Sequence, residues 1–302
     1  MLHDEYKQFY WRKTDVFRHF AWRRNVTIGQ DGRLCIPSVD FPVANGCNLK
    51  CEYCFLLNPF RAGIVSKEYV IDSFEKWSRK IAPKRIILAG GEPLLNPDIA
   101  ELAVAVHRYW QNAQCEVWTN GFLLPRVPDE VLQVFEREKV VVYISQHMGT
   151  EEYQDAVQQC LSRLSKFRIQ HSVIEAYRDW RNDRHVDADG VPVPCRSNPA
   201  VAYSRCISKR CTIVLGDKLY RCHYLAHITS ALQEGVAVPE WKRVLTHKPV
   251  TFENSPQEIR DYLFGGPMPE CSVCPETCEI VEPRQLSMEH IQRIKELIRQ
   301  RI

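Results

Sequence analysis

No apolar run in this chain approaches the ~18–20 residues needed to cross a bilayer, which argues against a membrane-spanning helix. The opening stretch, Met1-Leu2-His3-Asp4-Glu5-Tyr6-Lys7, lacks the apolar core of a secretory signal. A cytoplasmic protein without a membrane partner is the expectation. Charge of one sign is also scarce: 40 Lys and Arg face 37 Asp and Glu, a net charge of +3. That balance, with no basic tract, gives no footing for nucleic-acid binding, so a nucleic-acid partner is not expected. Internal repeats and low-complexity tracts are missing, which excludes solenoids and disordered linkers as the main architecture. The 302 residues are 45% hydrophobic and 25% charged. They can bury one large core with an appendage, or two modest cores.

What the sequence has in excess is cysteine: 13 residues. The chain is neither short nor equipped for export, so a disulfide framework is a poor explanation, and clustered thiols point to metal. Cys47, Cys51 and Cys54 form one group. Cys206, Cys211 and Cys222 form a second, and Cys271, Cys274 and Cys278 a third. Of the scattered four, Cys115 and Cys160 lie on apolar patterns and read as core, as free cysteine often does.

From about residue 37 to 173 short strands alternate with amphipathic helices. Strands are expected at 38–44, 85–89, 116–119, 140–145 and 168–174. Helices are expected at 67–81, from Pro97 onward with Asn96 as cap, at 129–138 and at 151–164. This alternation predicts an α/β fold with a parallel sheet or partial barrel, in which ligands sit at the carboxyl ends of the strands. Cys47, Gly90-Gly91-Glu92, Asn120-Gly121 and Ser145 all fall at such ends. The polar stretch 179–200 reads as a linker or lid. Residues 212–221 read as a hairpin turning at Gly216-Asp217, and 287–300 as an amphipathic helix. The expected divisions are an N-terminal extension (1–36), an α/β core (37–200), a cysteine-bearing domain (201–285) and a C-terminal helix (286–302).

The first cysteine group has the spacing C-x3-C-x2-C. Soft thiolates favour iron–sulfur clusters or zinc. Three of them can hold three irons of a four-iron cluster and leave the fourth open, whereas structural zinc wants four closed ligands. A zinc-held binding module without chemistry is the competing reading, and it predicts colourless protein.

This loop, with aromatic Tyr53 before its last cysteine, resembles the radical S-adenosylmethionine (SAM) superfamily. Gly90-Gly91-Glu92-Pro93 resembles the superfamily's GGEP motif, which contacts the SAM amino group, and Glu92 is a candidate partner for that ammonium. Asn120 and Ser145 occupy positions that relatives use around SAM. Where relatives often have Ser-x-Asp, this chain has Ser145-Gln146-His147, which leaves His147 as a residue that could face substrate. The resemblance implies a partial (β/α)6 barrel. It implies a four-iron cluster with an open iron at Cys47, Cys51 and Cys54, and SAM as second cofactor. SAM would be cleaved reductively to a 5′-deoxyadenosyl radical that abstracts hydrogen from substrate. An electron donor such as flavodoxin or ferredoxin would be a partner.

The second and third cysteine groups resemble the auxiliary-cluster domains of such enzymes, long (SPASM) or short (twitch). One auxiliary four-iron cluster is expected at Cys211, Cys222, Cys271 and Cys274, with Cys206 and Cys278 as alternates. A zinc ribbon fits the same spacings. Cys195 is a candidate hydrogen donor to a substrate radical. Relatives with one short auxiliary domain act on sugars and aminocyclitols, so a small polar metabolite, oxidised or subjected to elimination, is the leading substrate class. Epimerisation or crosslinking of a ribosomally made peptide is the alternative. The roughly 36 residues before the first core strand are few for a fused leader-binding domain.

Overall fold

The computed structural model describes residues 22–182, 185–206, 208–209, 211–277 and 279–302. Cys278, one of the alternate ligands, and most of the N-terminal extension lie outside the described residues. No described helix is long and apolar enough to cross a membrane.

The central sheet is built from eight strands among the described residues: β1 (Val39–Ala44), β2 (Arg85–Gly90), β3 (Gln114–Thr119), β4 (Val141–Ser145), β5 (His171–Ile174), β6 (Ile213–Leu215), β7 (Lys218–Tyr220) and β8 (Val250–Thr251). Their order across the sheet is β8-β7-β6-β1-β2-β3-β4-β5. Strands β1 to β5 are parallel neighbours. The sixth parallel strand, β6, joins the β1 edge through Ile213 opposite Asp40, and β6, β7 and β8 continue antiparallel. The sheet therefore stays open, an α/β architecture with a parallel core.

Helices α1 (Lys67–Ser78), α2 (Ile99–Tyr109), α3 (Asp129–Arg137) and α4 (Glu151–Lys166) connect the first five strands. Their apolar stripes meet alternate strand residues in one core that includes Phe41, Phe74, Trp77, Leu88, Leu102, Val117, Phe135, Ile144 and Leu164. Period-two alternation then sends Asp40, Ile87, Glu116, Trp118 and Tyr143 to the opposite face. Ser66 caps α1, accepting from Tyr69 N. The next helix starts later than its sequence signals suggest, at Ile99 with Asp98 as cap. Asn96 still makes a cap-type bond, its Oδ1 accepting from Asp98 N at 2.9 Å, while its amide nitrogen donates to the carbonyls of Val43 (2.9 Å) and Val65 (3.0 Å).

A second core gathers Leu57, Phe60, Ile213, Tyr220, Leu225, Trp241, Val273, Ile291 and Ile294. It is built around α6 (His223–Gln233) and α8 (Met288–Arg301). The shorter α5 (Pro199–Arg205) packs against the turn Pro269–Val273, and α7 (Pro256–Phe264) against β8. The stretch expected as a linker is paired instead: Arg181–Asn182 with Glu279–Ile280, and His185–Val186 with Pro192–Val193.

Candidate cluster and cofactor site

After β1 the chain turns at Asn45 and Gly46, whose N–H groups both donate to Gly63 O (3.0 and 2.9 Å) and close the base of the cysteine loop. Tyr53 and Leu57 take left-handed backbone, with φ of 62° and 57°, and these turns fold the loop back on itself. Lys50 Nζ donates to Cys47 O at 2.8 Å. Burial pushes the Cys47 and Cys51 thiols up to about 12, and neighbouring negative groups add to this: Glu92 and then Cys54 at Cys47, and Cys54 at Cys51. The three thiols thus lie in one another's field. Donors are already aimed at two of them. Asn120 Nδ2 lies 3.6 Å from Cys47 Sγ, and Gln285 Nε2 donates to Cys51 Sγ at 3.3 Å.

Gly90 and Gly91 dock the end of β2 on this turn. Gly91 N donates to Ala44 O (2.8 Å) and Glu92 N to Gly46 O (3.0 Å). A Cβ on Gly91 would overlap the Gly46 carbonyl oxygen, and one on Gly90 the Ala44 oxygen. Only glycine lets the two backbones approach this closely. Pro93 opens a short helical turn, Pro93–Leu95.

Glu92 is turned inward. It is 0% exposed and accepts from Leu94 N (3.0 Å), Thr119 Oγ1 (2.6 Å) and Asn120 N (2.8 Å). Burial raises its pKa to about 7 against these three donors. In this structure it is a strut between the ends of β2 and β3. Asn120 is the residue that faces the cysteine loop, also donating to Asn48 Oδ1 at 2.7 Å. Ser145 joins the same region through Tyr153, whose hydroxyl donates to Asn120 O (2.8 Å) and Ser145 O (3.1 Å). His147 lies against Cys51, with Nδ1 3.5 Å from Sγ. Burial holds its pKa down at about 4, which keeps the ring neutral.

In the C-terminal third, the β6–β7 register sets Ile213 opposite Tyr220, and two residues further on it runs toward Cys211 and Cys222. Cys222 caps α6, its Sγ accepting from Leu225 N at 3.5 Å. Burial pushes this thiol up to about 12, helped by the charges of Cys206 and Cys271. The alternate ligand Cys206 and the expected ligand Cys271 thus both lie within charge range of Cys222. Cys274 follows in the same turn, its N–H donating to Cys271 O at 3.2 Å. Cys195 is placed against this turn as well, donating from N to Val273 O at 3.0 Å. It lines a cavity of about 550 Å³ together with His185, Asp187, Arg196 and Glu240. The buried Cys115 and Cys160 are core.

Among the described residues, no three His, Cys, Asp or Glu side chains are close enough to hold a single metal ion. A four-iron cluster spaces its thiolates more widely than one ion does, and three soft donors in a loop supplied with N–H groups suit it. Sequence reasoning did not find Gln285, nor Trp180, whose ring lies 5.0 Å from that of His147. Gln285 reaches Cys51 across 234 residues of chain, and no local pattern marks it.

Residues 41–166 match the family model described as "Radical SAM superfamily". The chain is 32% identical over 95 residues to a GTP 3′,8-cyclase of Sulfurovum sp., covering 30% of this chain and 28% of that protein. It is 27% identical over 141 residues to the antilisterial bacteriocin subtilosin biosynthesis protein AlbA of Bacillus subtilis, covering 45% and 30%. The chain thus spans less than a third of the length of these curated relatives. Among solved structures, BtrN in complex with AdoMet and 2-DOIA is similar with a TM-score of 0.48 at 17% identity, over 82% of this chain and 96% of that one. The alternating strands and helices that carry the cysteine loop, residues 41–166, are a radical SAM superfamily domain.

Proposed function

We propose that this chain is a radical SAM enzyme. Cys47, Cys51 and Cys54 would hold the four-iron cluster, while Gly90, Gly91, Pro93, Asn120 and Ser145 flank SAM. When bound, the two cofactors of this superfamily supply one-electron cleavage of SAM and a radical that takes hydrogen from substrate. The chain's residues bind, orient and shield. The Gly90-Gly91 contact holds the cysteine loop against the sheet. Asn120 and Gln285 direct N–H groups at sulfur, and the buried Glu92 fixes Asn120. The observation that carries the reading is the trio of thiols on one loop at the carboxyl end of the sheet, with donors aimed at two of them.

Cys222 and Cys271 would hold one auxiliary four-iron cluster, with Cys274 and either Cys211 or Cys206. The charge coupling of Cys206 to Cys222 supports the latter choice. The sheet face turned away from α1 to α4, where Asp40 pairs with His223 of α6 at 3.2 Å, supports a small polar metabolite as substrate. It carries Asp40, an Arg85–Glu116 pair (3.4 Å) and a Trp118–Tyr143 stack with ring centroids 4.9 Å apart. Charges of both signs beside an aromatic stack suit a compact polar ring. Likeness to the bacteriocin biosynthesis protein supports peptide modification as the second reading. A flavodoxin or ferredoxin would supply the electron, in the cytoplasm where thiols stay reduced.

The test is anaerobic purification with iron and sulfide quantified for wild type and for the combined Cys47→Ala, Cys51→Ala, Cys54→Ala variant. About half the iron should remain in the variant, as for two clusters of equal size, and 5′-deoxyadenosine formation from SAM and reductant should stop. Full iron retention, or a colourless zinc-loaded wild type, would refute the reading.

A further inference from the structure

Residues 279–286 run as a strap between two loops of the site. Ile280 pairs with Arg181, and Val281 N donates to Trp180 O at 2.9 Å. The strap then reaches the cysteine loop, where Gln285 bridges Cys51 in antiparallel fashion. Glu52 N donates to Arg284 O (2.8 Å) and Leu286 N to Lys50 O (2.9 Å). Trp180 Nε1 donates to Glu52 O at 3.2 Å, so the two paired segments also touch each other. Beyond the strap, Ser287 caps α8, whose Ile291, Ile294 and Ile298 are buried in the second core. The strap is therefore anchored at its far end.

The orientation of the Gln285 amide is fixed by its neighbours. Lys50 N–H, which can only donate, points at Oε1, so the NH2 group is the part that faces sulfur. It donates to Cys51 Sγ at 3.3 Å and lies 3.6 Å from Met148 Sδ.

We propose that Gln285 is a positioning residue for the Cys51 ligand. Its Oε1 pins the loop backbone through Lys50, and its N–H group both aims the sulfur and sets the ease with which the cluster accepts an electron. The inference rests on the proposed cluster at Cys47, Cys51 and Cys54. A donor at a ligand sulfur stabilises the added negative charge of the reduced state, so it raises the reduction potential.

The test uses the full-length protein, reconstituted anaerobically, as wild type, Gln285→Leu and Gln285→Glu. The Glu variant keeps an acceptor for Lys50 N–H, loses the donor to sulfur and adds negative charge beside it. Each is titrated with reductant and followed by electron paramagnetic resonance, reading the signal that SAM alters, since only an open-iron cluster meets SAM. Both variants should retain wild-type iron. In Gln285→Leu the reduced-to-oxidised ratio at fixed potential should drop three- to tenfold, about 30–60 mV for a one-electron couple, and in Gln285→Glu it should drop further. If the Leu variant loads poorly, the Glu variant carries the measurement. An unshifted ratio in an iron-loaded Glu variant overturns the role of Gln285. Absence of any SAM-sensitive signal in wild type would overturn the cluster assignment itself.

Discussion

Glu92 is buried and His147 half-buried near the cysteine loop, and burial moves them in opposite directions, Glu92 up to about 7 and His147 down to about 4. Between pH 4.5 and 7 folded Glu92 keeps a proton that the unfolded chain releases. Its contribution to stability is complete below about 4.5 and is lost as pH rises through 7. His147 behaves inversely: its contribution is complete above about 6.5 and is lost as pH falls through 4. The windows overlap, so the two slopes offset each other in cluster-free protein. Each single variant should expose the other. Cluster-free Glu92→Gln should lose stability more steeply on acidification from pH 6.5 to 4. It should also be weaker overall by about 1–3 kcal/mol, because its amide must point an N–H at one of three existing donors. Cluster-free His147→Gln should lose stability as pH rises from 4.5 to 7. Thermal unfolding across that range checks both, and parallel profiles for wild type and both variants would contradict the assignment. At this scale the sequence shows which residues matter better than which way they point. The cysteine spacing is a local pattern and is readable. The direction of Glu92 depends on Thr119 and Asn120, 27 and 28 residues away, and no local pattern records it.

The alternating elements are the most legible part of the molecule, because period 2 and period 3.6 are written in consecutive residues. Ser66 caps its helix as its sequence suggests, and Asn96 Oδ1 accepts from Asp98 N in the same manner, although the regular helix begins only at Ile99 and the Asn96 amide nitrogen is tied to the carbonyls of Val43 and Val65. The contact between the ends of β1 and β2 is an element-level feature with a sharp test. Gly91→Ala places a methyl group on the Gly46 carbonyl oxygen. Relief requires the end of β2 to move off the turn that carries Cys47, at a cost of about 3 kcal/mol. Gly91→Ala should therefore lose the iron of the Cys47 loop and the formation of 5′-deoxyadenosine, while far-UV circular dichroism stays near wild type. Gly266→Ala, where an added Cβ meets nothing within 4 Å, should stay within about 0.5 kcal/mol of wild type. Equal behaviour of the two variants would remove the close-approach argument.

At the scale of the whole molecule, the boundary that composition suggests near residue 200 does not separate two cores. Strand β6 joins the central sheet by pairing Ile213 with Asp40, and Asp40 N donates to Thr212 O at 2.9 Å. Trp77 on α1 donates from Nε1 to Gly216 O at 2.9 Å. Val214, Leu219, Val250, Ile259 and Leu263 are buried in the same core as Phe41 and Trp77. These links join residues more than 130 positions apart, so neither spacing nor composition reveals them. They imply one cooperative unit. A chain ending at residue 200 would uncover the β1 edge and lose five buried aliphatic side chains from the main core. At about 2–5 kcal/mol for the truncation of each such side chain, that loss matches or exceeds the ~5–15 kcal/mol by which native proteins are stable. The truncated chain should therefore be insoluble or lack a cooperative transition. The full-length cluster-free protein should unfold in urea with coincident curves by far-UV circular dichroism and tryptophan fluorescence, because Trp77 and Trp241 report from the two cores. A soluble 1–200 fragment with its own cooperative transition, or two resolved transitions in the full chain, would show that the cysteine-bearing third is an independent domain after all.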